Sequence, residues 1–305
     1  MDNFHSQDRK YDAIIVGAGF SGLYQLICLR DQLGLNCVIL ETGDDVGGTW
    51  YWNRYPGARC DTESHAYSYY FSDELLKEWT WSERYPGHAE IRNYMNFVAD
   101  KFDLKKDILF NNKVTSAHFN QGKIYWEIAT NNKMNFRSKY LITAVGCLSN
   151  ANIPKIKGLE NFKGKYYHTG NWPKNDVSFV GKKVGQIGTG STGIQAVPVI
   201  AEEAKHLTVF QRTANYSIPA RNKPLTENFK KHVKEKFNYY RELLKKTPNG
   251  HPFEISDRLV ADVEKEEMKD IYEKAWEKGG LQFRGSFNDL VTNVEANKTA
   301  SDFIK

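Results

Sequence analysis

An α/β architecture built from two strand–turn–helix–strand units, closed by a helical stretch, follows from three features of this 305-residue sequence. A run from Tyr11 to Val16, apolar except for Asp12, leads straight into Gly17, Gly19 and Gly22. The same pattern returns at Lys183 to Ile187, followed by Gly188, Gly190 and Gly193. After Tyr216 the composition shifts to Lys, Glu and aromatic residues at helical spacing. Apolar runs without alternation are the mark of parallel strands buried on both faces, and strands alternating with helices give such a sheet.

The first unit reads in order. Leu23, Leu26, Ile27 and Leu29 recur at helical spacing after the turn, and Cys37 to Leu40 forms the next buried strand, ending in Glu41. Gly47 to Tyr70 is dense in Trp, Tyr, Gly, Pro and charge, which suits a functional loop. Ile91 to Phe102 is amphipathic and helical; Val114 to Phe119, Ile124 to Thr130 and Asn135 to Arg137 read as short strands; Tyr140 to Val145 reads as a further buried strand. A Pro- and Gly-punctuated connection, Ala151 to Pro173, precedes the second unit, whose helix is expected over Ile194 to Ala201 and whose next strand over Leu207 to Gln211. In the tail, Phe229, Val233, Phe237, Tyr240 and Leu244, then Val260, Val263 and Met268, fall at helical spacing.

Composition narrows the function. Hydrophobic residues make up 40% and charged residues 26%, proportions of a folded chain, which excludes disorder as the main state. The net charge of +5 sets 42 basic against 37 acidic residues, so no nucleic-acid partner is indicated and the Lys-rich helix faces read as solvated. Four cysteines with no CxxC pair and no suitable His spacing indicate neither a disulfide framework nor a metal site, and fit a reducing cytoplasmic setting. The polar stretch Met1 to Lys10 has no apolar leader region, and no stretch is long and apolar enough for a membrane span.

A lone GxGxxG is a weak signal, with about 0.1 chance matches expected in a chain of this composition. Two copies in matching contexts are much stronger. The first glycine permits the tight turn, the second lets backbone approach a pyrophosphate, and the third lets helix and strand pack closely; the helix start offers free N–H groups to phosphate. The turns therefore predict two Rossmann-like dinucleotide-binding domains. Glu41 stands where a carboxylate accepts from ribose hydroxyls, which suits FAD or NAD. At the matching end of the second unit stand Arg212 and Thr213, a guanidinium and a hydroxyl suited to a ribose 2′-phosphate, which favours NADP. Two sites of different specificity imply electron transfer between FAD and NADPH. The plainer alternatives are that Arg212 is an ordinary surface cation and that the two nucleotide sites are unrelated.

The run Gly47-Gly48-Thr49-Trp50-Tyr51-Trp52-Asn53-Arg54-Tyr55-Pro56-Gly57-Ala58-Arg59-Cys60-Asp61 resembles the flavin-adjacent fingerprint of the type I Baeyer–Villiger monooxygenases. Phe162, Gly164, His168, Trp172 and Pro173 match that family's linker fingerprint, F-x-G-x-x-x-H-x-x-x-W-P, with a chance probability on the order of 1 in 10⁴ to 10⁵. N-hydroxylating and flavin-containing monooxygenases share the glycine turns and a similar His linker but usually lack the Trp-Pro ending. The resemblance runs from Ile14 through Thr213.

The resemblance implies FAD contacts at Gly17, Gly19, Ser21 and Gly22, at Glu41, at Thr49, Trp50, Tyr51 and Trp52, at Asp61 and Tyr67, and through the backbone of Val114. It implies NADP contacts at Arg59, Cys60 and Asp61, along Gly188, Thr189, Gly190, Ser191, Thr192 and Gly193, at Gln195, and at Arg212 and Thr213. His168 is implied as a hinge contact rather than a general base. The implied domains are an FAD-binding domain over 1–150, its returning half absent, a linker and NADP-binding domain over 151–215, and a helical segment over 216–305. The implied chemistry is insertion of one oxygen atom from O2 beside the carbonyl of a small ketone, through a C4a-peroxyflavin, to give an ester or lactone.

Asp61 is the implied catalytic-site residue in this chain, pairing with an essential Arg of a Lys-Arg-Pro-like stretch; the alternative is that it merely caps a turn. No such stretch precedes Lys305, so the expectation is a fragment of a longer enzyme that does not itself oxygenate ketones. Rival readings are an N- or S-oxygenating flavin monooxygenase and a catalytically dead dinucleotide-binding module.

Overall fold

Residues 9–305 are described by a computed structural model; the first eight residues, and with them most of the stretch Met1 to Lys10 considered above, lie outside the described residues. The chain folds into two units. The first contains the chain up to Pro56 with His88–Ser178, and the second contains Gly57–Gly87 with Phe179–Lys305.

The first unit is a six-stranded sheet. Strand β1 (Arg9–Val16) leads into helix α1 (Phe20–Leu26), prolonged by a π-helical turn (Ile27–Gln32), and then into β2 (Cys37–Leu40). A single turn α2 (Thr49–Trp52) follows in the first unit; α3 (Asp73–Glu78) belongs to the second; α4 (His88–Lys101) returns to the first. Then come β3 (Ile108–Leu109), β4 (Val114–Asn120), β5 (Tyr125–Thr130) and β6 (Asn135–Thr143). The order is β3-β2-β1-β6-β5-β4, parallel from β3 to β6 and antiparallel from β6 to β4. Ile14, Val38, Leu40, Ile128 and Phe136 form one buried cluster across both halves of this sheet. Each such side chain contributes roughly 1.5–3 kcal/mol by leaving water. Helix α4 buries Ile91, Tyr94, Met95, Val98 and Ala99, the i, i+3, i+4, i+7, i+8 face of an amphipathic helix.

Two sequence expectations change here. Asn135–Arg137 and Tyr140–Val145, read as separate strands, are one strand, because Ser138 pairs with Tyr11 on one side and Trp126 on the other and is itself buried. Ile124, read as the start of a strand, sits at φ +53° in the turn before β5.

The second unit repeats the opening motif: β7 (Lys183–Ile187), α5 (Ser191–Glu203) and β8 (His206–Phe210), the strands parallel and in register from Lys183 opposite His206 to Ile187 opposite Phe210. Pro198 lies inside α5, where it removes one ladder hydrogen bond. The tail supplies α6 (Glu227–Glu235), α7 (Phe237–Lys246), α8 (Lys265–Lys278) and α9 (Val294–Ile304). Val260 starts a short 3-10 turn and Val263 is extended, so the expected helical spacing there is a packing pattern instead: both lie against the cluster of Tyr272, Phe283, Phe287 and Leu290. Among the described residues no helix is long and apolar enough to cross a membrane, and no cluster of His, Cys, Asp and Glu is placed to hold a metal ion.

Candidate functional site: two glycine-rich turns

The two turns are built alike. Gly17 and Gly188 follow their strands at φ +104° and +102°, a region that L side chains rarely adopt. A Cβ on Gly22 would meet the Gly17 carbonyl oxygen at 1.8 Å, and one on Gly193 the Gly188 oxygen at 2.4 Å. The third glycine is thus a packing requirement in both. Each helix starts from a glycine N-cap, Gly19 or Gly190, with no side-chain cap, so the first-turn N–H groups keep their partial positive charge for an incoming anion. A Cβ on Gly188 or Gly190 would meet nothing within 4 Å, which leaves the turn open to a group approaching the backbone closely. In the first unit the turn lies at the carboxyl end of β1, between β2 and β6, the switch point of that sheet and the place where open α/β sheets take ligands.

Around the first turn, Glu41 is buried at the end of β2 and accepts at both oxygens: from the Ala18 N–H at 2.6 Å and the Gly43 N–H at 2.7 Å. Two donors fix the carboxylate and leave it further lone pairs for hydroxyl donors. Gly47 (φ +136°) donates its N–H to the Ala18 carbonyl, and a Cβ on Gly48 (φ +50°) would meet the Gly19 Cα at 2.7 Å. Thr49–Trp52 therefore begins directly against the turn. Trp50 and Tyr51 are buried; the Tyr51 hydroxyl donates to Asp44 at 2.6 Å, and Lys174 reaches the other Asp44 oxygen at 2.5 Å, which holds that carboxyl below its usual range. Ser21 lies in the first turn of α1, and Val114 opens β4 beside the buried Asn112. The structure thus brings together Gly17, Gly19, Ser21, Gly22, Glu41 and Thr49–Trp52.

The linker also belongs to the first unit. A Cβ on Gly164 would meet the Phe162 ring at 2.7 Å, so the small residue lets that ring fold over the chain. His168 Nδ1 accepts from the Gly170 N–H at 3.1 Å, capping the 3-10 turn Thr169–Asn171, and Trp172 packs near Tyr167. In this position His168 shapes the backbone that leads to Pro173.

Asp61, Tyr67, Arg59 and Cys60 lie in the second unit, in the segment Gly57–Gly87. Gly57 (φ +79°) comes so close to α5 that a Cβ would meet the Gln195 carbonyl oxygen at 2.2 Å. Gln195 then ties the segment down: its amide donates to the Arg59 carbonyl at 3.1 Å and to Asp61 Oδ1 at 2.7 Å, and its oxygen accepts from the Arg59 N–H at 3.3 Å. Protein atoms crowding Asp61 lift its carboxyl above the ordinary value while Gln195 pulls it down. Burial pushes the Cys60 thiol up to about 12, so it is a packed, protonated group. Tyr67 is half-buried, with its N–H on the Glu63 and Ser64 carbonyls.

Arg212 and Thr213 are exposed just beyond β8, and Gln211 and Asn215 on either side of them hydrogen-bond Thr189 of the turn. Sequence reading missed those two amides, since exposed Gln and Asn carry no pattern. It also missed a buried set in the same unit: Glu63 accepts from Arg84 at 2.6 Å and Gln282 at 3.0 Å beside His65, joining Gly57–Gly87 to the turn after α8.

Residues 10–239 match the family described as flavin-binding monooxygenase-like. The chain is 46% identical to a cyclohexanone 1,2-monooxygenase of Acinetobacter sp over 98% of its own length and 55% of that protein's. It is 41% identical to the phenazine N-monooxygenase PhzNO1 of Lysobacter antibioticus, over 97% and 55%. Among solved structures it superposes on closed cyclohexanone monooxygenase with a TM-score of 0.95 at 41% identity, covering 98% of this chain and 56% of that one, and on an oxidized steroid monooxygenase bound to NADP with 0.92 at 46%, covering 96% and 56%. The chain spans about half the length of the curated relatives it matches. With the match running through both glycine-rich turns, the chain belongs to the flavin-binding monooxygenase-like family.

Proposed function

We propose that the first unit binds FAD, the second binds NADPH, and the protein is a monooxygenase of the Baeyer–Villiger type acting on a small ketone with O2. The observation that carries this reading is the pair of turns with one architecture and opposite ends: a fixed carboxylate, Glu41, after one, and an exposed guanidinium, Arg212, after the other. A carboxylate receives ribose hydroxyls and repels a 2′-phosphate, and a guanidinium does the reverse.

A bound flavin would supply the hydride acceptance from NADPH and the oxygen chemistry. The chain's own residues bind and orient. The turns of α1 and α5 place N–H groups at pyrophosphates, Glu41 holds the ribose of FAD, and Thr49–Trp52 and the Val114 backbone are assigned to the same cofactor. Arg212 and Thr213 hold the 2′-phosphate of NADPH, and Arg59, Cys60 and Gln195 take further contacts with it; the buried Cys60 offers backbone only. Asp61 stays oriented by Gln195 and supplies a carboxylate for a cationic partner near the flavin. The linker residues Phe162, Gly164, His168, Trp172 and Pro173 shape the chain that leads from the first unit into the second. Four free cysteines fit a reducing, cytoplasmic setting.

The test is turnover, by a protein carrying these residues at the full length of the curated relatives, with FAD, NADPH and O2 against a panel of cyclic ketones, aromatic amines and sulfides. An ester or lactone supports the proposal. The 41% identity to a phenazine N-monooxygenase favours one second reading, N-oxygenation, which N-oxide without lactone would establish. NADPH-independent chemistry would contradict both.

A further inference from the structure

We propose that Gln211 and Asn215 are positioning residues that decide which nicotinamide nucleotide the second unit accepts, acting through Thr189. The inference rests on the reading of that unit as a nicotinamide nucleotide site. Gln211 Nε2 donates to Thr189 Oγ1 at 2.8 Å. Asn215 Nδ2 donates to the Thr189 carbonyl at 3.2 Å and reaches Thr189 Oγ1 at 3.5 Å. One residue earlier, the Gly188 N–H donates to the Phe210 carbonyl at 2.9 Å. Thr189 is the second residue of the glycine-rich turn, and Arg212 and Thr213 lie between the two amide donors. The segment is therefore stapled to the turn both before and after its cation.

The consequence is geometric. The turn faces the pyrophosphate and the segment Gln211–Asn215 faces the ribose, so the clamp holds the two anion-binding parts at one fixed spacing. A guanidinium already held at that spacing gains its charge-assisted bonds without ordering an exposed loop at the moment of binding. NAD has no 2′-phosphate and draws nothing from the position of Arg212. Loosening the clamp therefore weakens NADP and spares NAD, whereas loss of general support for the turn would weaken both.

The test is equilibrium binding of NADP⁺ and NAD⁺ to the full chain, with the nucleotide-free melting temperature measured alongside. The single variants Gln211→Leu and Asn215→Ala each remove one donor, and the double variant Gln211→Leu/Asn215→Ala removes both and leaves the turn intact. The double variant is expected to raise the NADP⁺ Kd about 5- to 10-fold and leave the NAD⁺ Kd within about 2-fold, and each single variant to fall between it and the wild type. A double variant that keeps the wild-type ratio of the two constants, or that weakens both nucleotides equally, overturns the clamp alone. A wild-type chain that does not prefer NADP⁺ overturns the reading of the site, and the clamp with it.

Discussion

The side-chain amide of Gln195, one turn into α5, donates to the carboxylate of Asp61 at 2.7 Å. The same side chain exchanges hydrogen bonds with the Arg59 backbone in both directions, so a single glutamine holds both ends of the three-residue segment Arg59–Asp61. Crowding by protein raises the Asp61 carboxyl, and Gln195 is what opposes it. In Gln195→Ala the Asp61 carboxyl is expected to rise further, because the ionised form accepts that hydrogen bond more strongly than the protonated one. Carbon-13 NMR of the Asp61 carboxyl across pH reads this directly; an unmoved titration would show that Gln195 does not act on the charged form.

The two kinds of glycine in each turn separate folding from binding. Gly193→Ala drives a methyl to 2.4 Å from the Gly188 oxygen and is expected to cost several kcal/mol, about 3, in unfolding free energy. Gly190→Ala meets nothing within 4 Å at an ordinary φ of −72°, so its melting temperature should stay at the wild-type value while NADP⁺ affinity falls at least about tenfold, the methyl occupying pyrophosphate space. Thermal melts paired with nucleotide titration check both.

Glu41→Ala leaves the buried Ala18 and Gly43 N–H groups without their acceptor. At about 1–3 kcal/mol for each unsatisfied buried group, the variant should lose about 2–6 kcal/mol even in the absence of FAD. Denaturant unfolding of the nucleotide-free protein measures the loss; an unchanged midpoint would mean that Glu41 serves the ligand only.

His65 gives the second unit a pH dependence. Burial beside Phe229 and Tyr240 pushes its imidazole down to about 4 from the ordinary 6.5; Glu63 opposes this, and Arg84 and His232 add to it. The His65 Nε2–Glu63 approach of 3.8 Å is thus not an ion pair at neutral pH. A depressed folded-state value means that the contribution is fully present above about 6.5 and is lost as pH falls toward 4, by about 3 kcal/mol. His65→Phe should flatten the stability-versus-pH curve over that interval relative to wild type. Equal slopes would contradict the assignment.

What the sequence made legible is what local pattern encodes. Parallel strands and glycine turns are contiguous in the chain, so both βαβ units, most of the helix His88–Lys101 and Glu41 at its strand end were readable, although β7 and β8 are largely exposed where β1 and β2 carry the buried residues. The unity of β6 was not, because Ser138 and Lys139 break the apolar run and the strand is held by pairing with neighbours on both sides. The grouping of Gly57–Gly87 with Phe179–Lys305 was also hidden, because it depends on Gln195, Arg84 and Gln282 reaching across more than a hundred residues or bridging from distant turns. Exposed amides such as Gln211 and Asn215 have no periodicity to betray them; only coordinates show that they converge on Thr189.

The central claim is that one chain holds two dinucleotide sites of different specificity. The most direct measurement is an equilibrium titration of the purified chain with FAD, then with NADP⁺, following flavin absorbance and bound nucleotide together. The account predicts one equivalent of each bound at once, with NADP⁺ failing to displace FAD and Arg212→Ala weakening NADP⁺ alone. Competition between the two nucleotides, or an Arg212→Ala variant that binds NADP⁺ as the wild type does, would contradict it.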